Sequence, residues 1–120
     1  MAGRDRIRVK RAYQAPARSD GVRILVDRLW PRGLTRARLK LDLWQKDVAP
    51  STALRVWFHK DTGKWAEFRK RYRAELDARP ESWRPLLAAA RRGVVTLLFG
   101  SRDVKRNHAL LLKAYLARRL

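Results

Sequence analysis

The chain has 120 residues and a mass of 14.1 kDa, which is the size of a single domain. Apolar residues make up 46% of the sequence and include five tryptophans, a content that argues against intrinsic disorder. Thirty Lys and Arg against eleven Asp and Glu give a net charge of +19, which favours anionic partners such as nucleic acid, phosphorylated metabolites or acidic surfaces. The chain has no cysteine, which excludes disulfides, zinc–thiolate sites and cysteine nucleophiles.

The longest apolar stretches, around Val94–Gly100 and Ala109–Leu112, are too short to span a bilayer. The N-terminus, MAGRDRIRVKR, contains no apolar segment that could serve as a signal peptide. We therefore expect a soluble cytoplasmic protein with no membrane partner.

The first third of the chain predicts two strands. Ile7–Tyr13 alternates apolar and basic residues, as expected of a short strand. Turn residues over positions 15–21 predict a loop before Val22–Leu29. Within that second segment, Ile24–Val26 is rich in β-branched residues and predicts a buried strand.

Pro31 and Gly33 then interrupt the regular structure. Thr35 can cap a short helix over Arg36–Lys40. Leucines that alternate with polar residues indicate extended chain over Lys40–Gln45.

The middle of the chain predicts three helices. The first opens at Pro50-Ser51 with Ser51 as its N-cap, and the second covers Lys64–Leu76. The third covers Trp83–Arg92, with Pro85 in its first turn and Gly93 as its stop. The apolar inner faces of the first two helices comprise Leu54, Trp57, Phe58, Trp65, Phe68, Tyr72 and Leu76.

The continuous apolar run Val94–Phe99 predicts a central parallel strand. The last helix is predicted over Val104–Arg119, with Asp103 as its N-cap. Strands separated by helices indicate one α/β domain over residues 1–120, a small mostly parallel sheet flanked by helices on both faces.

Polar segments follow the two strongest strands, Val22–Val26 and Val94–Phe99. Ligands of open parallel sheets bind outside the carboxyl ends of the strands, and neighbouring parallel strands share that edge. We therefore expect Asp27 and the Asp103–His108 segment to be spatial neighbours. The predicted crevice contains Asp27, Arg28, Trp30, Arg32, Ser101, Arg102, Asp103, Asn107 and His108.

These residue types suit the binding of an oxyanion, a phosphate or a carboxylate. Arg28 and Arg32 are the predicted anion ligands, and Asp103 would orient the helix N-terminus. Asp27 and His108 are the candidate catalytic groups because either could move a proton. The structural alternatives are that Asp27 pairs with an arginine to brace the loop, and that His108 faces the sheet from its helix.

Other kinds of site find little support in the sequence. There is no glycine-rich nucleotide motif or P-loop, and two histidines without matching carboxylates do not predict a metal or any other cofactor. His59 is expected to be exposed or to cap a helix end. The tryptophans are assigned to the core rather than to a base-stacking platform, except Trp30, which could line the crevice.

The segment VRILVDRLWPRG at residues 22–33 resembles the signature of the domain of unknown function 488 family, in its YeaO-like branch. The similarity runs from about Ile7 to Leu116, although relatives usually carry Ala or Ser at the position of Gly100. Further matches are Ala49-Pro50-Ser51, Leu54–Phe58, Trp65, Phe68, Tyr72, Glu75-Leu76, Thr96–Leu98, Asp103 and Asn107–Ala109.

The resemblance implies a small bacterial α/β domain without an established activity. It also favours a site that includes Asp27, Arg28, Arg32, Asp103, Asn107 and His108.

Three functions are consistent with these patterns. The first is a cytoplasmic anion-binding protein, in one form an enzyme acting on a phosphorylated or carboxylated small molecule. The alternative is a basic nucleic-acid-binding module without catalysis. The third is a structural or interaction protein whose crevice is vestigial. The sequence does not indicate an oligomeric state.

Overall fold

A computed structural model of the chain describes residues 6–120, which form one four-stranded sheet. Its strands are β1 (Ile7–Arg11), β2 (Val22–Leu25), β3 (Leu43–Trp44) and β4 (Val95–Phe99). Their order is β1-β4-β2-β3, and every neighbouring pair is parallel. The predicted α/β fold is confirmed, and the two strands expected to lie side by side at the centre, β2 and β4, do so.

Five helices accompany the sheet: α1 (Arg36–Leu39), α2 (Thr52–Lys60), α3 (Trp65–Ala78), α4 (Pro80–Arg92) and α5 (His108–Ala117). Single turns of 3-10 helix lie at Arg18–Asp20 and Lys46–Val48. As predicted, Ser51 caps α2, because its Oγ accepts a hydrogen bond of 3.1 Å from the Leu54 amide. No helix within residues 6–120 has the length and apolar character needed to cross a membrane.

Two helix starts differ from the sequence prediction. Helix α4 begins at Pro80 rather than near Trp83, because the first position of a helix needs no N–H donor and suits proline. Helix α5 begins at His108 rather than Val104. The carboxylate of Asp103 does not cap it, and the Asn107 side chain instead accepts a hydrogen bond of 3.0 Å from the Leu110 amide.

The main core lies on one face of the sheet, beneath α2 to α5. Alternation along the strands sends one set of side chains into it, and the helices contribute their apolar stripes. Its buried members include Ile7, Ile24, Val26, Val95, Leu97 and Phe99 from the strands and their extensions, and Leu54, Phe68, Tyr72, Leu76, Leu86 and Leu112 from the helices. The predicted stripe of α3 therefore does face the core.

The opposite face has a much thinner cover. Within residues 6–120 it is overlaid by the segment 29–45, whose one helix is the four-residue α1, so the expectation of helices on both faces holds only in this reduced form. Trp30 and Trp44 belong to this second layer, whereas Trp57, Trp65 and Trp83 pack against the main core. The buried residues here are Ala12, Leu25, Leu39 and Leu98.

A buried ion-pair network lies on the rest of this face. Asp20 lies 2.5 Å from the Arg23 guanidinium and 3.1 Å from the Lys10 ammonium. Arg23 also donates hydrogen bonds to the carbonyls of Leu39, at 2.7 Å, and Lys40, at 3.2 Å, so its buried guanidinium has several acceptors. Burial alone would raise the pKa of Asp20, but the hydrogen bonds from the Ala17 amide, Lys10 and Arg23 outweigh it and leave that pKa below its ordinary value.

We expect Asp20→Asn to destabilise the fold by about 3–5 kcal/mol at neutral pH, because it leaves the buried Arg23 charge unpaired. Folding lowers the pKa of Asp20. The carboxylate therefore stabilises the fold fully at pH values above its pKa in the unfolded chain, and this stabilisation is lost as the pH falls through its pKa in the folded protein. Urea unfolding at a series of pH values should therefore show that the free energies of unfolding of the wild type and of Asp20→Asn converge below about pH 4. Glu67→Gln, which breaks the exposed pair with Arg71, should change stability little. Equal effects of the two variants would contradict this account.

Gly21 marks a close contact between the turn before β2 and the residue before β4. Its φ is +63°, and a Cβ at this position would lie 2.1 Å from the Val94 carbonyl oxygen. That oxygen accepts the hydrogen bond of 3.0 Å from the Val22 amide that starts the β2–β4 pairing. The contact therefore fixes where the two central strands begin.

Gly21→Ala should destabilise the fold by roughly 2–4 kcal/mol, since backbone strain at positive φ is added to a steric clash. Gly93→Ala is the matched control, because its backbone is extended and no atom lies within 4 Å of the added Cβ. Chemical denaturation of both variants measures the difference. A Gly21→Ala protein as stable as Gly93→Ala would disprove the close approach.

Candidate functional site

Asp27 connects the carboxyl ends of the two central strands. Its Oδ2 accepts a hydrogen bond of 2.8 Å from the Gly100 amide, directly after β4. Its carbonyl accepts one of 2.8 Å from the Trp44 indole. A Cβ on Gly100 would lie 3.1 Å from Oδ2, so a side chain at this position would require Oδ2 to shift by a few tenths of an ångström.

The first residue of α5, His108, completes this cluster. Its Nε2 lies 3.0 Å from the Val26 carbonyl oxygen and 3.2 Å from Asp27 Oδ1. A carbonyl oxygen only accepts, so a hydrogen bond to Val26 requires a proton on Nε2. The ring also stands edge-on to Tyr72, at 6.1 Å between centroids. The predicted proximity of Asp27 to the Asp103–His108 segment is confirmed.

Hydrogen bonds within the loop hold residues 100–107 in place. The Asp103 amide donates to Ser101 Oγ at 3.1 Å, and the Asp103 carboxylate accepts from the amides of Lys105 and Arg106. Those two amide hydrogen bonds hold the pKa of Asp103 below its ordinary value. Asn107 then donates to the Asp103 carbonyl at 3.0 Å while its oxygen caps α5.

These elements surround a cleft of about 400 Å³. It lies between the strand ends, the start of α5, and the helices α2 and α3. Six of the nine residues predicted from the sequence line it: Asp27, Arg28, Ser101, Arg102, Asn107 and His108.

The other three do not line the cleft. The Trp30 indole donates to the Leu34 carbonyl at 2.6 Å and packs on the opposite face of the sheet. Arg32 lies exposed in a turn that Gly33 closes with a φ of +82°, outside the residues that line the cleft. The exposed carboxylate of Asp103 faces the amides of its own turn.

Helices α2 and α3 supply a wall that sequence reasoning did not assign to the site. Glu75 of α3 accepts hydrogen bonds from the Ser51 amide and hydroxyl, at 2.8 and 2.6 Å, and so ties the start of α2 to α3. The helical stripe identified the aromatic members of the wall as inward-facing, but nothing distinguished Arg55 among thirty basic residues. The polar and aromatic lining residues that were not predicted are Arg55, Phe58 and His59 of α2, Trp65 and Phe68 of α3, and Arg106 of the loop before α5.

The wall combines stacked aromatic rings with positive charge. The Phe58 ring lies 4.6 Å from the Phe68 ring, which stacks on Trp65 at 5.4 Å. Four arginines line the cleft, at positions 28, 55, 102 and 106, against Asp27 as the single carboxylate of the lining. The cleft is therefore suited to an anion that also carries an apolar, flat part.

Three buried polar atoms in residues 6–120 have no hydrogen-bond partner: Asp27 Oδ1, Arg28 Nε and Arg55 Nε. Of these, Asp27 Oδ1 does have an ion-pair contact, because it lies 3.2 Å from His108 Nε2. All three belong to residues that line the cleft. Arg28 donates through Nη2 to the Ala49 carbonyl at 3.3 Å, which leaves its Nε unused. In the same part of the chain, no group of three histidine or carboxylate side chains is arranged to hold a metal ion.

Comparisons with known proteins agree with the resemblance noted in the sequence. Residues 6–120 match the family model described as the inactive DUF488-N3 subclade. The chain is 44% identical over 110 residues to uncharacterized protein YeaO of Escherichia coli K12, covering 92% of this chain and 96% of that protein. It is 39% identical over 112 residues to uncharacterized protein Rv3073c of Mycobacterium tuberculosis H37Rv, covering 93% and 94%. No solved structure matches the chain. The chain therefore belongs to the DUF488 family, in its YeaO-like branch.

Proposed function

We propose that the protein binds a small anionic molecule with a flat apolar part in this cleft, and that it holds this molecule without transforming it. The observation that carries the proposal is the pair of buried guanidinium nitrogens without a hydrogen-bond partner, Arg28 Nε and Arg55 Nε, both in residues of the cleft. A buried donor or acceptor without a partner costs about 1–3 kcal/mol. Two unpartnered guanidinium donors thus favour a ligand that carries an anionic group.

The anionic group is expected between Arg28 and Arg55. Arg102 and Arg106 lie on the exposed loop at the cleft and add positive charge there. The amino end of α5 contributes in the same sense, since the helix dipole places partial positive charge there. Phosphate and carboxylate both fit this environment, because each accepts the two-pronged hydrogen bonds of a guanidinium.

The flat apolar part is expected against Phe58, Trp65 and Phe68. These rings lie on the same cleft as the arginines, so one small molecule can contact both. Aromatic side chains of this kind bind planar groups by stacking and by removing apolar surface from water.

Binding rather than catalysis is supported by the hydrogen bonds of the cleft. Asp27 Oδ2 is engaged by the Gly100 amide, and His108 Nε2 by a carbonyl. Within residues 6–120 the Ser101 hydroxyl pairs with the Asp103 amide and not with a histidine, so it lacks the base that a serine nucleophile needs. The description of the matching family model as an inactive subclade is in accord with this reading. We assign Asp27 and His108 to positioning the cleft.

The test is calorimetric titration of the wild-type protein with phenyl phosphate, inorganic phosphate and phenol at constant ionic strength. Phenyl phosphate should bind about tenfold more tightly than inorganic phosphate, because the ring buries apolar surface. Arg55→Gln should weaken that binding roughly 10- to 100-fold through loss of a charge-assisted hydrogen bond. Arg32→Gln, which removes the same charge outside the cleft, should leave the affinity within about twofold.

Equal weakening by Arg55→Gln and Arg32→Gln would show that only the overall charge attracts the ligand, and would contradict the proposed site. Phenyl phosphate that binds no more tightly than phosphate would contradict the role of the aromatic wall. Release of phosphate from phenyl phosphate would show that the cleft is catalytic.

A further inference from the structure

Trp30 and Trp44 lie on the sheet face opposite the main core, and Tyr13 contacts the loop after Trp30; none of the three lines the cleft. Trp30 and Trp44 meet edge to face, with their rings 5.3 Å apart. Tyr13 follows β1, and its hydroxyl donates a hydrogen bond of 2.8 Å to the Arg32 carbonyl, two residues from Trp30. The Tyr13 side chain is 42% exposed, and both tryptophans are partly exposed. We call these three solvent-accessible rings the aromatic surface.

A cationic side chain lies over each ring of the aromatic surface. The distances from the charged group to the ring centroid are 4.8 Å for Arg11 over Tyr13, 5.4 Å for Arg36 over Trp30 and 4.1 Å for Lys46 over Trp44. Residues 34–46, which cover this face, include four basic residues and one acidic residue, Asp42. The Asp42 carboxylate accepts a hydrogen bond of 2.8 Å from the Arg23 amide, so it is partly engaged within the fold.

We propose that the aromatic surface binds single-stranded nucleic acid. A single strand presents flat bases and phosphates, and this surface presents partly exposed rings with a cation over each of them. Bases stack on aromatic rings and on the planar guanidinium of arginine, while the remaining cations pair with phosphates. A duplex keeps the faces of its bases stacked inside the helix, and an acidic peptide has carboxylates but no bases, so neither uses the rings.

The first arm of the test separates this surface from the charge of the whole protein. Fluorescence anisotropy would follow a labelled single strand of about 12 nucleotides, long enough for a surface of this kind. The variant R36Q/R38Q/K46Q removes two Arg and one Lys from this face, and K70Q/R84Q/R92Q removes the same residue types from exposed positions of α3 and α4. The first variant should lose at least about tenfold more affinity for the strand than the second, and should still bind phenyl phosphate like the wild type.

The second arm tests the rings. Tyr13→Ala should weaken binding of the strand roughly fivefold or more, because it removes a stacking partner for a base. Tyr13→Phe keeps the ring and should bind like the wild type, and thermal melting of both variants verifies that they are folded. Duplex DNA of the same sequence and poly-glutamate should bind more weakly than the single strand at the same salt concentration.

Each arm has an outcome that overturns the proposal. Equal losses in the two triple variants would show that the strand responds to net charge alone. Equal affinities of folded Tyr13→Ala and Tyr13→Phe would show that no base stacks on Tyr13. Duplex DNA or poly-glutamate that binds as tightly as the single strand would replace the proposal with an unspecific anion-binding surface.

Discussion

A hydrogen bond between the Asp27 carboxylate and the Gly100 amide joins the ends of the two central strands, and the arrangement of the cleft depends on it. The same residue accepts the Trp44 indole through its carbonyl and lies 3.2 Å from His108 through Oδ1. The loop after β2, the loop after β4, the edge strand β3 and the start of α5 are thereby held at one point. Asp27 is also the one carboxylate among the residues that line the cleft, which include four arginines.

The two faces of the sheet have different physical characters. Helices α2 to α5 form a thick apolar layer on one face and supply both the main core and the aromatic wall of the cleft. The other face carries the enclosed Asp20 network and a thin layer that contains Trp30 and Trp44. A thin layer leaves large rings partly exposed, which a second helical layer would have buried. The same asymmetry therefore separates the cleft from the aromatic surface.

The spacing of apolar residues along the sequence predicted the strands and helices that bury apolar side chains at regular intervals. β4 is buried along its whole length and α3 carries an unbroken stripe, so both were found with nearly correct bounds. The start of α5 was misplaced because Asp103 and Asn107 are both good capping residues, and only tertiary contacts decide between them. Six cleft residues could be predicted because parallel strands share an edge, whereas Arg55 could not, since its position depends on how α2 packs against α3.

The loop between β4 and α5 has a further consequence for recognition. Side-chain and backbone hydrogen bonds fix the backbone at Ser101, Asp103 and Asn107, and Arg11 of β1 adds one of 2.9 Å to the Ser101 carbonyl. These hydrogen bonds restrict the backbone that carries Arg102 and Arg106, so association has less chain entropy to remove there. A preorganised loop selects ligands by their shape and by the distance between their charged groups. Preorganisation also makes the length of this loop a constraint, since one inserted residue would uncouple the arginines from the start of the helix.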